Sequence, residues 1–103
     1  MKKEKSINEQ QEARETDDKI SIRKDYTELA GQAVQKIGFQ LKELREISEL
    51  SQKDAAFYIG LDRSVISKIE HGKYLTLSVK DLIILCQLYG YEPGQLLDQL
   101  NLE

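Results

Sequence analysis

The stretch of sequence that decides the fold is SQKDAAFYIGLDRSVISKIEHG, residues Ser51–Gly72. Ser51 and Asp54 have the Ser-x-x-acid spacing of a helix start, at which each side chain satisfies a backbone amide that the helix leaves free. Gly60 suits the left-handed residue that follows a helix, because glycine adopts this backbone conformation at little cost. Gly72 can end a second helix. The stretch therefore predicts two short helices, over residues 51–59 and 63–71.

The two predicted helices have faces that allow close packing. Ala55 and Ala56 give the first helix an inward face with little bulk, while Ile69, with Val65 or Ile66, gives the second an apolar face. Polar and basic side chains begin the second helix, after a turn of about three to four residues. Two helices joined in this way form a helix-turn-helix.

The rest of the folded chain is predicted to be helical, without strands. Before the motif, apolar residues recur at spacings of three and four, which indicates one face of a helix. Gly38 interrupts that helix and predicts a bend or break. We predict an all-α, compact five-helix domain with an N-terminal helical extension. The elements outside the motif are a long helix over residues 27–47, a fourth helix from Ser78 to Gly90 and a last one over residues 93–100.

Two further helix starts have capping residues. Asp62 is placed to cap the second motif helix, and Ser78 with Asp81 repeats the Ser-x-x-acid spacing at the fourth helix. We therefore expect side-chain caps at both positions.

Residues 1–25 differ in composition from the rest of the chain. They contain seven basic and seven acidic residues and few apolar side chains, so they cannot bury enough surface to offset the entropy lost on ordering. We predict that this charged segment is disordered or loosely helical. The domain is expected to occupy residues 26–103, with its helix-turn-helix at residues 51–72.

The segment from Ile37 to Leu97 resembles the lambda-repressor-like helix-turn-helix family, the Cro and phage-repressor type of bacterial regulator. The resemblance covers more than half of the chain and implies a compact helical fold that binds duplex DNA. It rests on motifs at the family's spacing: IGFQLKELR at 37–45, LSQ at 50–52, AA at 55–56, GLDRS at 60–64, ISKIEHG at 66–72 and PGQLL at 93–97.

The resemblance implies that the helix over residues 63–71 enters the major groove of DNA. Short or flexible hydrogen-bonding side chains are needed near its start to reach base edges. Arg63 can form a bidentate pair with guanine, and Lys68 can reach a base or a phosphate. The alternative is that these are solvated polar residues on an ordinary helix. The predicted base-reading residues are Arg63, Ser64, Ser67 and Lys68.

A second set of residues is implied to contact the DNA backbone. Gln52 lies at the start of the first motif helix, where free backbone amides favour an anion. Lys73 and Tyr74 lie in the loop where family members touch the sugar-phosphate backbone, although Tyr74 can instead pack its ring over the loop. The predicted phosphate contacts are Ser51, Gln52, Lys73 and Tyr74.

The resemblance also implies a structural pair formed by Arg45 and Glu70. These side chains are expected to face each other, partly buried, between the first and third helices. A buried ion pair need not be strongly stabilising. Its expected use is to fix the angle of the recognition helix.

Charge is distributed unevenly along the chain. The net charge is −3, whereas a nucleic-acid-binding domain is usually basic. However, residues 36–80 carry eight basic and six acidic residues, while residues 81–103 carry four acidic residues and no basic one. This distribution predicts a locally basic face on an acidic body.

The residue types present argue against an enzyme, a metal protein or a membrane protein. The single histidine, His71, lacks the companions that a metal needs, and no glycine-rich phosphate loop or other catalytic constellation occurs. No apolar run approaches the roughly 20 residues that cross a bilayer. The single cysteine, Cys86, lies in the run LIILCQLY, is expected in the core and fits a reducing cytoplasm. We expect a cytoplasmic protein without catalytic residues, metal or cofactor.

Phe39 and Phe57, with Tyr58, occupy positions that are usually polar or charged in relatives. One interpretation is that they are scattered surface aromatics. Our hypothesis is that the apolar turns around Leu29 and Val34, or a second subunit, cover at least one of the phenylalanines.

These observations favour a transcriptional regulator, most simply a repressor, that binds a double-stranded DNA operator as a homodimer with half-sites about one helical turn apart. The alternative is the antitoxin of a toxin–antitoxin pair, whose N-terminal segment would bind a protein toxin while its domain regulates the operon. A third interpretation is a helical adaptor that has lost contact with DNA.

Overall fold

The computed structural model describes residues 9–102, with side chains from residue 22 onward; residues 1–8 and 103 lie outside the described part. This described part is helical and has no strand, so the predicted all-α class is confirmed. The five helices are α1 (Glu9–Ile47), α2 (Gln52–Ile59), α3 (Arg63–Glu70), α4 (Val79–Tyr89) and α5 (Pro93–Asp98).

Helix α1 begins at Glu9, well before the predicted start near residue 27. Residues 9–25, predicted to be disordered or loosely helical, continue this helix, and residues 1–8 of the predicted segment lie outside the described part. The added turns contain no glycine or proline and are rich in Glu, Gln, Lys and Arg, which favour a helix even without a core to pack against. The domain boundary at residue 26 stays a prediction.

The helix-turn-helix begins and ends where its sequence predicts. The Ser51 hydroxyl accepts a hydrogen bond from the Asp54 amide at 2.9 Å, and the Asp54 carboxylate accepts one from the Ser51 amide at 3.5 Å. Gly60 and Gly72 have φ values of 72° and 71°, in the left-handed region that glycine tolerates best. Local side-chain chemistry therefore sets the limits of the motif.

The caps of α3 and α4 differ from the prediction. Asp62 precedes α3, but its carboxylate accepts a hydrogen bond from the Ser64 hydroxyl at 3.0 Å instead of capping the helix. The Ser78 hydroxyl accepts a hydrogen bond from the Asp81 amide at 3.0 Å, which is one half of the predicted reciprocal pair. Asp62 therefore stands at the predicted N-cap position, but the predicted side-chain cap is wrong, because the Ser64 hydroxyl competes for its carboxylate.

Every helix contributes to one apolar core. Cys86 is fully buried there, as predicted, and burial raises the pKa of its thiol. The core residues that are at most 3% exposed include Leu41, Ala56, Ile66, Ile69, Leu85 and Leu96.

Helix α1 continues unbroken through Gly38, so the glycine does not break the helix; a bend there stays a prediction. Packing requires this glycine, because an added Cβ atom would lie 2.0 Å from the carbonyl oxygen of Ile69 in α3. Gly72 packs similarly against α1, since an added Cβ atom would lie 2.6 Å from Cγ of Gln35. The two glycines therefore let α1 come into near backbone contact with α3 and with the turn after it.

The three unusual aromatic side chains are exposed in the single chain. Phe39 is 60% exposed, Phe57 80% and Tyr58 65%, with the Phe57 and Tyr58 rings edge to face at 5.8 Å. The turns around Leu29 and Val34 therefore leave both phenylalanines uncovered, and that part of the hypothesis is wrong. Val34 lines a groove with residues of a different face of α1 from Phe39. Cover by a second subunit stays a prediction.

Gly38→Ala is expected to lower the free energy of unfolding by about 1–3 kcal/mol, because overlap with the Ile69 carbonyl outweighs the gain in helix propensity. Gly31→Ala is the matched control: an added Cβ atom there meets no atom within 4 Å, so the same exchange should raise stability by about 0.4–1 kcal/mol. Urea denaturation followed by circular dichroism measures both effects. Equal effects would contradict the close contact of α1 with α3.

Candidate nucleic-acid interface

Helix α3 presents a polar side opposite the residues that it buries. Ile66 and Ile69 point into the core, at 1% and 2% exposure. The positions between them and at the start of the helix point outward, because side chains three and four apart share a face. Ser67 is half-buried and the other predicted base-reading residues are exposed. This outer side carries Arg63, Ser64, Ser67 and Lys68.

A buried ion pair holds α3 against α1. Arg45 Nε donates a hydrogen bond to Glu70 Oε2 at 2.6 Å, and Arg45 Nη2 donates one to Glu70 Oε1 at 3.0 Å. Arg45 Nη1 donates to the Leu50 carbonyl oxygen at 2.7 Å, just before α2. The hydrogen bond to Glu70 raises the pKa of Arg45, although burial acts in the opposite direction. One guanidinium thus joins α1, the α1–α2 turn and α3.

Gln52 extends this ion pair to the surface. Gln52 Nε2 donates to Glu70 Oε1 at 3.0 Å, and Gln52 Oε1 accepts a hydrogen bond from Arg63 Nη1 at 3.0 Å. An ionised carboxylate only accepts hydrogen bonds, so Glu70 fixes the Gln52 amide with its oxygen towards Arg63. The four side chains Arg45, Glu70, Gln52 and Arg63 form a continuous series of hydrogen bonds, which we term the relay.

The link between Gln52 and Arg63 is absent from the sequence prediction. The sequence assigned Gln52 to a phosphate and Arg63 to a base, without a contact between them. The two residues are 11 positions apart, and the turn between α2 and α3 brings them within hydrogen-bond reach. An amide oxygen accepts hydrogen bonds and a guanidinium donates them, so the two side chains can pair. Residue type alone does not identify which amide pairs with which guanidinium, because the geometry of the turn decides this.

The predicted phosphate contacts lie in different environments. Ser51 is exposed, and its hydroxyl accepts the capping hydrogen bond from Asp54, which leaves its own proton free for another acceptor. Lys73 is exposed in the loop after α3. Tyr74 is half-buried and packs against the core, so its ring has the packing role that the sequence left open. Lys73 therefore offers the more accessible group of the loop.

His71 adds a polar group that the predicted site did not include. It is exposed directly after α3, and its Nδ1 lies 2.7 Å from the Ser67 carbonyl oxygen. Because a carbonyl oxygen only accepts hydrogen bonds, Nδ1 carries the proton and Nε2 is left for another partner. In the sequence, the signal for this contact is that His71 follows Ser67 by four residues, about one helical turn.

The pKa of Tyr89, in α4, responds to the charges of the buried ion pair. Burial and the negative charge of Glu70 raise the pKa of Tyr89 to about 12. The phenol of half-buried Tyr89 therefore stays neutral up to a higher pH than a tyrosine in water does.

Tyr89→Phe is expected to change how stability depends on pH. An unfolded tyrosine ionises near pH 10, and folded Tyr89 does so near pH 12, so between these values only the unfolded chain has lost the proton. Deprotonation then favours unfolding, and stability falls as the pH rises through this window. Y89F has no such proton and should show a smaller fall between pH 9 and 12 in urea denaturation. Parallel curves for the two proteins would contradict the raised pKa.

Arg45→Met is expected to lower the free energy of unfolding by about 3–5 kcal/mol, because Glu70 becomes a buried charge without its cation. The double variant R45M/E70L replaces both charges with apolar groups and should recover much of this loss. Glu46→Gln changes an exposed neighbour and should alter stability by less than about 0.5 kcal/mol. Urea denaturation measures these changes in the free energy of unfolding. If the losses caused by the two substitutions simply add in the double variant, the two residues are not coupled.

No helix in the described part of the chain is long and apolar enough to cross a membrane. Among the residues whose side chains the structure describes, from 22 to 102, no group of three or more is suited to hold a metal ion.

Comparisons with curated proteins and with solved structures gave no match. A family model described as Helix-turn-helix matches residues 41–96, which is more than half of the 103 residues. The matched region contains all four residues of the relay and the whole of α2, α3 and α4. The chain therefore belongs to the lambda-repressor-like helix-turn-helix family of DNA-binding domains, as its sequence motifs predict.

Proposed function

We propose that this protein is a sequence-specific transcriptional regulator that reads the major groove of duplex DNA with α3. The observation that carries the proposal is the exposed Arg63 at the first turn of α3, held by Gln52 at 3.0 Å. A side chain held in its binding direction loses less conformational freedom when it meets a ligand. The relay therefore prepares Arg63 for a base edge.

Arg63 keeps enough hydrogen-bond donors to read a base while it is bound to Gln52. A guanidinium carries five N–H groups, and the contact with Gln52 uses Nη1. The remaining donors suit O6 and N7 of guanine, a pair that contributes about 1–3 kcal/mol of discrimination. Ser64, Ser67 and Lys68 follow along the same side of α3 and are assigned to neighbouring bases or phosphates.

The DNA backbone is proposed to lie on both sides of α3. Ser51 and Gln52 begin α2, where free backbone amides favour a phosphate. Lys73 and Tyr74 follow α3, and exposed Lys73 adds a positive charge there. Such contacts position the protein without reading the sequence.

A homodimer suits this function. Two copies related by a two-fold axis present two recognition helices to half-sites about 34 Å apart on one face of DNA. A dimer bound over a promoter blocks access to it, so repression is the simplest output. This function places the protein in the cytoplasm with its operator.

One observation favours the second candidate function, an antitoxin. Every residue from Ile22 to Glu28 is exposed, so this stretch of α1 has free surface for a protein partner. A small protein that copurifies in a fixed ratio and whose toxicity this chain suppresses would support the antitoxin. Isolation of the chain alone as a DNA-binding dimer would support the plain regulator.

Selection of bound sequences from random duplex DNA tests the proposed function. The wild-type protein should select a two-fold symmetric site with a guanine in each half. Arg63→Ala should lose the preference for that guanine, by about 5- to 150-fold, because its bidentate pair contributes roughly 1–3 kcal/mol. It should keep salt-sensitive affinity for other sequences.

Lys73→Ala is the matched control for this selection. Loss of a phosphate contact should weaken binding to all sequences about equally and reduce the salt dependence by about one unit of slope. Absence of any salt-dependent DNA binding by the folded wild-type protein would overturn the proposed function and favour the helical adaptor.

A further inference from the structure

A hydrogen bond joins the side chains of Asp62 and Ser64 at the start of α3. The Ser64 hydroxyl donates to Asp62 Oδ2 at 3.0 Å, and both residues are exposed. The backbone of Asp62 is anchored to the helix, because its carbonyl oxygen accepts a hydrogen bond from the Val65 amide at 2.9 Å. The carboxylate is therefore presented to the Ser64 hydroxyl from a fixed position.

The direction of this hydrogen bond decides what Ser64 can offer to another molecule. A hydroxyl has one proton to donate and two lone pairs that accept, whereas a carboxylate only accepts. The single hydroxyl proton of Ser64 therefore points towards Asp62, and the lone pairs of the oxygen are left for other groups. In this arrangement the Ser64 side chain is an acceptor only.

The contact with Ser64 is the one use that the structure gives to the Asp62 side chain. Asp62 does not cap α3 with its side chain. Among residues 22–102 its carboxylate has one hydrogen-bond partner, the Ser64 hydroxyl, and no ion-pair partner. An acidic group beside a DNA-binding helix repels the phosphates of the duplex, so its presence there calls for a compensating role.

Ser51, the other exposed serine with a defined hydrogen bond, has the opposite arrangement. Its hydroxyl accepts a hydrogen bond from the Asp54 amide at 2.9 Å and keeps its own proton. Ser51 can therefore donate to a phosphate, whose oxygens only accept. Ser64 cannot do so while its proton is held by Asp62. The two serines thus suit different groups of the DNA.

The groups of duplex DNA that match an acceptor are few. In the major groove the hydrogen-bond donors are the amino groups of adenine N6 and cytosine N4, whereas guanine O6, thymine O4 and purine N7 accept. Phosphate oxygens also accept, and the charge of Asp62 repels them. An amino group of a base is therefore the partner that fits the Ser64 hydroxyl.

We propose that Asp62 is a positioning residue that makes Ser64 an acceptor, so that Ser64 selects an adenine or a cytosine in each half of the operator. This inference rests on the proposed function, which puts the outer side of α3 in the major groove, and it names the class of base that one residue reads. Arg63 lies between the two residues and only donates. The first turn of α3 therefore carries a donor for guanine next to an acceptor for an amino group.

Binding to four duplexes tests the proposal. They carry the site that the wild-type protein selects and differ in one base pair of each half, at the position where Ser64→Ala loses its base preference. Wild type should bind adenine or cytosine there at least about fivefold more tightly than guanine or thymine, because a keto oxygen would face the Ser64 lone pairs without a proton between them. Competition measured by fluorescence anisotropy gives these ratios.

Asp62→Ala should remove this preference without removing Ser64. The freed hydroxyl can rotate and donate to a keto oxygen or accept from an amino group, so the ratio should fall below about twofold. The preference of Arg63 for guanine should remain. Because the Asp62 side chain does not cap α3, D62A should fold like wild type, which circular dichroism checks.

Asp62→Asn separates the hydrogen bond from the charge. The amide oxygen of asparagine can still accept the Ser64 proton, so D62N should keep most of the preference that D62A loses. Asp98→Ala is the matched control, because it removes an exposed acid of the same type from the end of α5, and it should bind all four duplexes like wild type. Equal losses of preference in D62N and D62A, or a similar loss in D98A, would overturn the proposal, because charge alone would then be the cause.

The double variant D62A/S64A tests whether Asp62 acts through Ser64. Ser64→Ala removes the hydroxyl and should by itself abolish the preference for an amino group. Adding Asp62→Ala should then change the base preference no further. A preference that survives in S64A and disappears in the double variant would show that Asp62 reads the base directly, which would overturn its positioning role.

The response of Arg63→Ala separates this proposal from the proposed function. If wild type selects a guanine that R63A loses, while S64A and D62A change no base preference, the role of Asp62 is overturned and the proposed function stands. A wild-type preference for guanine or thymine at the Ser64 position would have the same meaning. If the folded wild-type protein shows no salt-dependent binding to duplex DNA, the proposed function is overturned and the role of Asp62 with it.

Discussion

The Glu70 carboxylate is shared between the helix that is proposed to read DNA and the two helices that support it. It accepts hydrogen bonds from Arg45 on α1 and from Gln52 on α2, while its own backbone belongs to α3. The side chain of Glu70 is only 2% exposed, and a carboxylate so deeply placed is costly to bury without such partners. All three helices must therefore be in place together, and the orientation of α3 is settled by a polar requirement as well as by the apolar core.

Two different contacts fix α3 relative to α1. The missing side chain of Gly38 lets the Ile69 carbonyl approach, which sets the distance between the helices. The ion pair with Arg45 then sets the rotation of α3 about its own axis, because two hydrogen bonds from one planar guanidinium tolerate little change in angle. Distance and rotation together determine where the first turn of α3 points. The hydrogen bond from Arg63 to Gln52 then restricts the direction of the Arg63 side chain on that turn.

The features that the sequence predicts well depend on residues close to one another in the chain. The Ser51–Asp54 cap and the left-handed glycines are decided within a few positions, and they identify the motif and its family. The packing role of Gly38 is not predicted, because it depends on a carbonyl group of another helix, which the periodicity along one helix does not contain. The relay was missed for the same reason. The early start of α1 differs from the prediction because residues 9–25 are too polar to form a core, yet their composition still favours a helix locally.

The position of a residue in the fold depends on the chain itself, whereas its role on DNA depends also on the duplex. The sequence motifs place Arg63, Ser64 and Lys68 on the outer side of α3, and the structure shows these side chains exposed there. Under the proposed function, the base that each one would meet depends on the shape and hydrogen-bonding groups of the bound duplex. That information lies in the partner, so the folded chain alone supplies candidates and directions.

The burial of Cys86 has a consequence for how the protein behaves towards oxidants. Thiolates, not thiols, react with disulfides, peroxides and alkylating reagents. This sulfur is 0% exposed and held in its neutral form by the surrounding apolar groups, so an attacking reagent must wait until the helices separate. Stress that oxidises accessible sulfur elsewhere in a cell would leave the folded domain unchanged, and the labelling rate of this one atom would report how often the domain opens.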